Sequence, residues 1–371
     1  MAGESLHVCH FLSDDAWGGL EVMALSLLQA QQASAQFKVS LIVLNEGRLE
    51  QEARRLGVTV RLIPESKMGP WSLYRQLERT LRHLRPDIVH THRYKENLLA
   101  YLVAPRLRLR TVVTIHGWEP SLTLPVRIRV GLRDFVSFRL ARRANARFAA
   151  VSRDLQHNYR IPDDSCTVIP NGIRIQPTPT AVRANGQAAS APVIGWAGRM
   201  VAIKSLGTLL DAVALLNDLP VKPRLLLVGD GPDRTALAEQ AQRLGIAEQV
   251  EFTGFVNDLT PHLARMSLFA LPSLQEGVPL ALLEAMGAGI PTLAAGVGGI
   301  PEMIGDSGAA HLVRGHVPAD WAAAIRRFVT SPNEANEMAD LGRALVMNRF
   351  SLEAMLARYS ELYAQALGRS A

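Results

Sequence analysis

The chain has 371 residues, 48% hydrophobic and 20% charged, a size and composition that suit two globular domains and exclude a low-complexity polymer. It holds no apolar run of about 18 residues, which excludes a predicted membrane span, and its two cysteines, Cys9 and Cys166, form no CxxC spacing or disulfide framework. The net charge of +6 hides an asymmetry, because residues 1–185 carry 26 Lys+Arg against 16 Asp+Glu whereas residues 186–371 carry 14 against 18.

The N-terminus, MAGESLHVCHFL, has no basic segment before its short apolar stretch and reads as a first strand, not a signal peptide. With two unpaired cysteines this places the chain in a reducing cytoplasm. Further strands are predicted at Lys38–Leu44, Val58–Ile63, Asp87–Thr91, Thr111–Ile115, Arg147–Val151 and Cys166–Ile169. Helical spacing separates them, as in Leu73, Leu77, Leu81 and Leu84. Alternation of this kind predicts a parallel sheet covered by helices. The loop after the first strand, SDDAWGGLE, leads into a helix over Leu20–Gln31. Gly18 and Gly19 there allow close backbone approach by a phosphate or sugar. The loop lacks GxGxxG, which argues against a dinucleotide site.

Two later strand ends carry histidines: His90 and His92 in DIVHTH, and His116 beside Gly117 in TIHG. Three histidines invite a zinc reading, but no cysteine pair or HExxH accompanies them, and no metal is assigned. A histidine at a strand end beside a glycine suits sugar hydroxyls or a developing oxocarbenium, whereas His90 reads as a structural imidazole. The arginine excess gathers at Ser72–Arg85, Arg106–Arg110 and Arg127–Arg147, the last interleaved with Val126, Val130, Phe135 and Phe138. Such a half fits an anionic membrane surface, a phosphorylated acceptor or nucleic acid, or simply solvated helix faces. No nucleic-acid reading module is recognisable, so nucleic acid is not assigned.

Residues 175–192 are small, polar and proline-bearing and read as a linker. Beyond it strands resume at Val193–Ala197, Arg224–Val228, Val250–Phe252, Ser267–Leu271 and Pro291–Ala294, and the chain closes on an amphipathic helix, Ser351–Leu367, with Ser351 as a plausible N-cap. In GRMVAIK, directly after a strand, Arg199 and Lys204 are placed to neutralise a pyrophosphate. The turn VGDGP, with Gly229, either walls a base or only turns the chain. The densest segment, 271–304, runs from a strand through Glu276-Gly277-Val278 into a helix opening at Pro279. That helix offers the free N–H groups of Leu280 and Ala281 to an anion. Glu284 lies on the same face and suits ribose hydroxyls better than phosphate.

GGLE at 18–21, HTH at 90–92, TIHG at 114–117, VIPNGI at 168–173, GRM with Lys204, VGDGP at 228–232, Glu276-x7-Glu284 and GGIPE at 298–302 form an ordered set. This set resembles the retaining glycosyltransferases of family 4, over essentially the whole chain. The resemblance implies the α/β GT-B fold, two doubly wound Rossmann-like domains facing across a cleft. The acceptor domain would be 1–180, the nucleotide-sugar domain 190–350, and a helix over 351–371 would cross back to the first. It implies a donor diphosphate held by Arg199 and Lys204, a donor sugar by Glu276, a ribose by Glu284, and phosphate and sugar cradled by Gly18, Gly19 and Val278–Leu280, with Gly229, Gly277 and Pro279 beside them. His116 would line the reaction centre, and Glu21 and His92 would face the acceptor. Retention at the anomeric carbon without metal or cofactor is also implied. Two positions depart from the family pattern: Ser205 stands where glycine is usual, and Arg174 where aspartate is.

The partners expected are a nucleoside diphosphate sugar, a saccharide or lipid-linked acceptor of cell-surface polysaccharide, lipopolysaccharide or glycolipid assembly, and an anionic membrane, here the inner face of the plasma membrane. The rival readings are a sugar-nucleotide epimerase, a non-catalytic sugar-nucleotide-binding protein, and a nicotinamide-dependent oxidoreductase.

Overall fold

The computed structural model describes residues 5–14, 17–117, 136–175 and 191–368. The chain divides into two compact units, one formed by 1–171 with 352–371 and the other by 172–351.

Seven parallel strands build the first unit: β1 (Leu6–Ser13), β2 (Phe37–Leu44), β3 (Thr59–Ile63), β4 (Ile88–Thr91), β5 (Arg110–Ile115), β6 (Arg147–Ala150) and β7 (Cys166–Val168). Their order in the sheet is β3-β2-β1-β4-β5-β6-β7. β1 and β2 are buried along nearly their whole length, which is why they read as continuous apolar runs without alternation. One face is covered by α3 (Pro70–Leu84) and α4 (Tyr94–Leu107), where Leu73, Leu77 and Leu81 meet Cys9, Phe11 and Val89. Each of those leucines contributes about 2 kcal/mol by leaving water. Against the sheet also pack α1 (Gly19–Ala33) and the last helix, α13 (Leu352–Ala366), which touch one another. α2 (Arg48–Arg55) and α5 (Arg153–Asn158) complete the described labelled helices of this unit, and residues 136–143 are helical too.

The second unit repeats the plan with β8 (Val193–Ala197), β9 (Arg224–Val228), β10 (Val250–Gly254), β11 (Leu268–Leu271), β12 (Thr292–Ala295) and β13 (His311–Val313), ordered β10-β9-β8-β11-β12-β13. Its helices are α6 (Leu206–Ala214), α7 (Arg234–Arg243), α8 (Thr260–Leu263), α9 (Leu280–Gly287), α10 (Ile300–Ile304), α11 (Pro318–Thr330) and α12 (Pro332–Arg349). α6 packs on α11 and α9 on α12, with Trp196 and Trp321 fully buried. Where the chain enters and leaves this unit, Ile173 pairs with Ser351 and donates its N–H to the Phe350 carbonyl at 2.9 Å. Ser351 thus lies directly before the last helix, in a bridge.

Predicted and observed strands agree within two residues at each end. β13 has no counterpart among the predicted strands. Pro279 is the N-cap of α9, in extended backbone, and not its first helical residue. In both sheets the chain reverses direction beside the first strand of the unit. Open parallel sheets take their ligands beyond the carboxyl ends of the strands at such a reversal, here β1 and β4 in one unit and β8 and β11 in the other.

Candidate nucleotide-sugar site and a buried histidine line

Beyond β8 and β11 lie GRM and the Glu276 loop. Arg199 is exposed and has no hydrogen-bond or ion-pair partner among the described residues. Its neighbours are firmly held: Gly198 donates to the Val228 carbonyl at 3.0 Å, Met200 donates to Asp230 at 2.8 Å, and Asp233 donates back to Met200 at 3.2 Å. A Cβ on Gly229 would sit 1.9 Å from the Gly198 carbonyl oxygen. The turn VGDGP therefore braces the Arg199 turn.

Lys204 ends a short 3-10 turn, Ala202–Lys204, and its Nζ meets Glu276 Oε1 at 2.6 Å. Glu276 is in turn held by the glycine turn after β12, since Gly299 donates to its carbonyl at 3.1 Å. Gly298, at φ +55°, approaches so closely that a Cβ would lie 1.9 Å from that oxygen. Gly277 continues the loop, Val278 is buried, and Leu280, Ala281 and Glu284 share the partly open face of α9. The first amides of α9 precede its first internal bond, from Leu283 N to the Pro279 carbonyl at 3.2 Å. Burial, with the charge of Asp258 adding to it, pushes the Glu284 carboxyl up to about 7. Ser205 follows Lys204 in the left-handed region, at φ 50° and ψ 39°, and makes no side-chain cap; its Oγ bonds Thr208 Oγ1 at 3.0 Å. The family glycine is the unstrained residue for that backbone, and serine there costs roughly 1 kcal/mol.

In the first unit, Gly18 is the extended N-cap of α1, and the space beside Gly19 is open. Glu21 is buried, 2% exposed, and ion-pairs with Arg93 at the start of α4. It thus positions Arg93 in the unliganded protein. Nearby, Ser13 Oγ donates to the buried Glu96 carboxyl, which burial shifts upward.

His92 departs from its predicted role. It is 3% exposed, and its ring joins His10 Nδ1 to His92 Nε2 at 3.1 Å and His92 Nδ1 to His116 Nε2 at 3.1 Å. Both nitrogens are engaged, so neither is left for an acceptor. His10 Nε2 meets Gln31 Oε1 at 2.8 Å, and Gln31 Nε2 donates to Tyr363 Oη at 3.1 Å. The line continues from Tyr363 to His90 Nδ1 at 2.8 Å, from His90 Nε2 to Thr114 Oγ1 at 2.7 Å, and from Thr114 to Tyr359 Oη at 2.9 Å. His90 is the satisfied structural imidazole expected of it. Desolvation lowers all four histidines, His10 to about 4, His116 to about 3 and the other two well below the usual range. His116 is half-buried at the end of β5.

His10, His90 and His92 bring one ring nitrogen each within 4.8 Å of one another. All six of their nitrogens already have partners in the hydrogen-bond line, and no carboxylate joins the cluster to balance a dication, so the donor set fits a neutral chain better than a metal. His10, Gln31, Tyr359 and Tyr363 carried no local signal in the sequence. His10 meets His90 only through the parallel register of β1 on β4. The arginine-rich segment with Val126, Val130 and Phe135 lies outside the described residues, as does the linker over 176–190.

Residues 17–176 match the model of Glycosyltransferase Family 4, and residues 191–331 that of Glycosyl transferases group 1. A D-inositol 3-phosphate glycosyltransferase of Nocardia farcinica is 32% identical over 262 residues, which are 64% of this chain and 58% of that protein. One from Streptomyces scabiei is 29% identical over 313 residues, 76% of this chain and 68% of that one. The matched region is thus little more than half the length of the first of these relatives. The structure of Anabaena HepE in complex with UDP shares the fold at a TM-score of 0.83, over 97% of this chain and 100% of that one, with 19% identity. Two Rossmann-like units of the same strand order, with both family models matched in series, establish that the chain belongs to glycosyltransferase family 4 and has its GT-B fold.

Proposed function

We propose that the protein is a retaining glycosyltransferase that moves a sugar from a nucleoside diphosphate donor to an acceptor hydroxyl without a divalent metal. The observation that carries this is the set beyond β8 and β11: Arg199 and the first amides of α9, without partners among the described residues, and Lys204 paired with Glu276. Together these supply the positive charge that a departing diphosphate needs, with Arg199 as a fork and Lys204 as a point charge. In the bound state the diphosphate competes with Glu276 for Lys204, which frees the Glu276 carboxylate for the donor sugar. Glu284 takes the ribose hydroxyls. The acceptor hydroxyl attacks the anomeric carbon from the face that the diphosphate leaves, and its proton passes to the departing phosphate oxygen. The family supports retention, and the protein groups rather than an ion carry the leaving-group charge.

The test is calorimetry of the purified protein with UDP, GDP and ADP and their sugars, with and without EDTA. One nucleotide is expected to bind, insensitively to EDTA, and Arg199→Ala is expected to weaken it about 10- to 100-fold, the range for loss of a charged hydrogen bond. No binding by any of them, or binding that EDTA abolishes, would refute this donor site.

We further propose an anionic acceptor presented at a membrane surface. The outer face of α3 supports it: Trp71 is 65% exposed, Arg75 stacks on it at 5.2 Å, and Arg79 and Arg82 continue the same face. A tryptophan beside basic residues suits the headgroup layer of anionic lipid. No helix among the described residues is long and apolar enough to cross a membrane. Co-sedimentation with phosphatidylserine vesicles at low salt is expected, reduced several-fold by Trp71→Ala with Arg75→Ala. Wild-type protein left in the supernatant would remove the membrane from this reading and leave the transfer reaction intact.

A further inference from the structure

We propose that the C-terminal helix, through Tyr363 and Gln31, sets the tautomer of His116, so that His116 meets a ligand with a bare Nδ1 lone pair and not with an N–H. Tyr363 and Gln31 are positioning residues that act through His10 and His92. That a ligand reaches His116 rests on the glycosyltransferase reading; the tautomer itself does not.

The argument is an accounting of protons. Each ring is neutral, because burial lowers all four histidines, and a neutral imidazole has one donor and one acceptor nitrogen. Gln31 Nε2 faces Tyr363 Oη at 3.1 Å, so the amide turns Oε1 toward His10 Nε2 at 2.8 Å. An amide oxygen only accepts, and His10 therefore carries its proton on Nε2. His10 Nδ1 is then an acceptor, and His92 must donate to it from Nε2. His92 Nδ1 becomes an acceptor in turn, and His116 donates to it from Nε2. One nitrogen remains: His116 Nδ1, without a proton and without a partner among the described residues.

The far side of Tyr363 is consistent with the same direction. Its hydroxyl accepts from Gln31 and gives its own proton to His90 Nδ1, and His90 Nε2 donates to Thr114 Oγ1, whose proton goes to Tyr359 Oη. Seven hydrogen bonds thus point one way, and none of the eight groups is asked to donate twice through one atom. If the Gln31 amide turned over, every proton between it and His116 would have to move, and His116 would present Nδ1–H. The amide lies with its Nε2 on the hydroxyl of the last helix and its Oε1 on His10, and Tyr359 and Tyr363 of that helix are both buried. An Nδ1 lone pair accepts from a hydroxyl and repels phosphate or carboxylate oxygen, so the device selects what binds at the end of β5.

The test is long-range proton–nitrogen correlation NMR of the full chain labelled with 15N-histidine. In the wild type, His10, His92 and His116 are expected to be neutral Nε2–H tautomers from pH 6 to 8. Gln31→Met removes the acceptor and is expected to give comparable populations of both tautomers at His116. Nδ1–H at His116 in the wild type would overturn the proposal without any variant, and so would a pure Nε2–H signal in Gln31→Met. Because the readout needs no nucleotide or turnover, it fails separately from the donor-site assignment.

Discussion

Replacing Glu284 with glutamine is expected to make the protein more stable at pH 8 and a poorer binder of nucleotide. The carboxyl titrates near 4.5 when unfolded and is raised to about 7 in the fold, by desolvation first and Asp258 second. Between those values the folded state keeps a proton that the unfolded state has released, so stability falls as pH rises through this window. Below it the group contributes nothing, and above it the penalty is complete. At about 1.4 kcal/mol per pH unit the rise from 4.5 to about 7 costs about 3–4 kcal/mol at pH 8. Denaturation of wild type and Glu284→Gln should therefore differ at pH 8 and converge near pH 4.5; a difference that does not change with pH would refute the burial argument. The same reasoning fixes the sign for ligand. In the proposed site ribose hydroxyls donate to the ionised carboxylate, so wild-type nucleotide affinity is expected to rise through pH 7. Glu284→Gln should bind about 10- to 100-fold more weakly, as for loss of a hydrogen bond to a charged group, and without that pH dependence. A residue that destabilises the unliganded fold and strengthens a ligand contact is a common sign of a functional position.

The second large effect is expected at Gly298. A methyl group there meets the Glu276 carbonyl oxygen at 1.9 Å, and the backbone is at φ +55°. Either the glycine turn twists or the Glu276 loop moves. Both break the Gly299-to-Glu276 bond of 3.1 Å and shift the carboxylate paired with Lys204. Gly298→Ala is expected to lose about 2–4 kcal/mol of stability, combining left-handed strain with overpacking. Turnover is expected to fall at least about 100-fold, the scale at which an error of about 1 Å in placement acts. Gly296→Ala is the control, since its nearest neighbours lie 4.0 Å from the added carbon. Near-wild-type turnover in Gly298→Ala would show that Glu276 need not be held where the turn holds it.

Much of the proposed donor site could be assembled from the sequence because its parts are local. Arg199 and Lys204 lie within one strand-end segment. Glu276, Pro279, Leu280 and Glu284 lie within nine residues, where helical period and N-terminal chemistry can be read directly. Roles that depend on distant partners were not legible. Glu21 reads like a ligand-facing carboxylate until Arg93, 72 residues later, is found covering it. Ser205 reads only as a departure from the family glycine until its backbone proves left-handed, with its hydroxyl on Thr208. That VGDGP braces the Arg199 turn is seen only once the Gly198 carbonyl is found beside Gly229.

By itself the sequence determined the alternation of strands and helices, the two-domain plan and the family. Each rests on apolar periodicity or on motifs short enough to be contiguous in the chain. Only the tertiary structure decided which strands are neighbours, and with that which polar groups share the interior. β4 lies beside β1, with two strands and three helices between them in sequence, and that adjacency sets His10 against His90. The last helix then brings Tyr359 and Tyr363 to the same buried face. Buried imidazoles must find partners, because an unpaired polar group in the interior costs on the order of 1–3 kcal/mol. Those partners come from wherever the sheet order places them, and the sheet order is fixed by long-range burial that no local segment encodes.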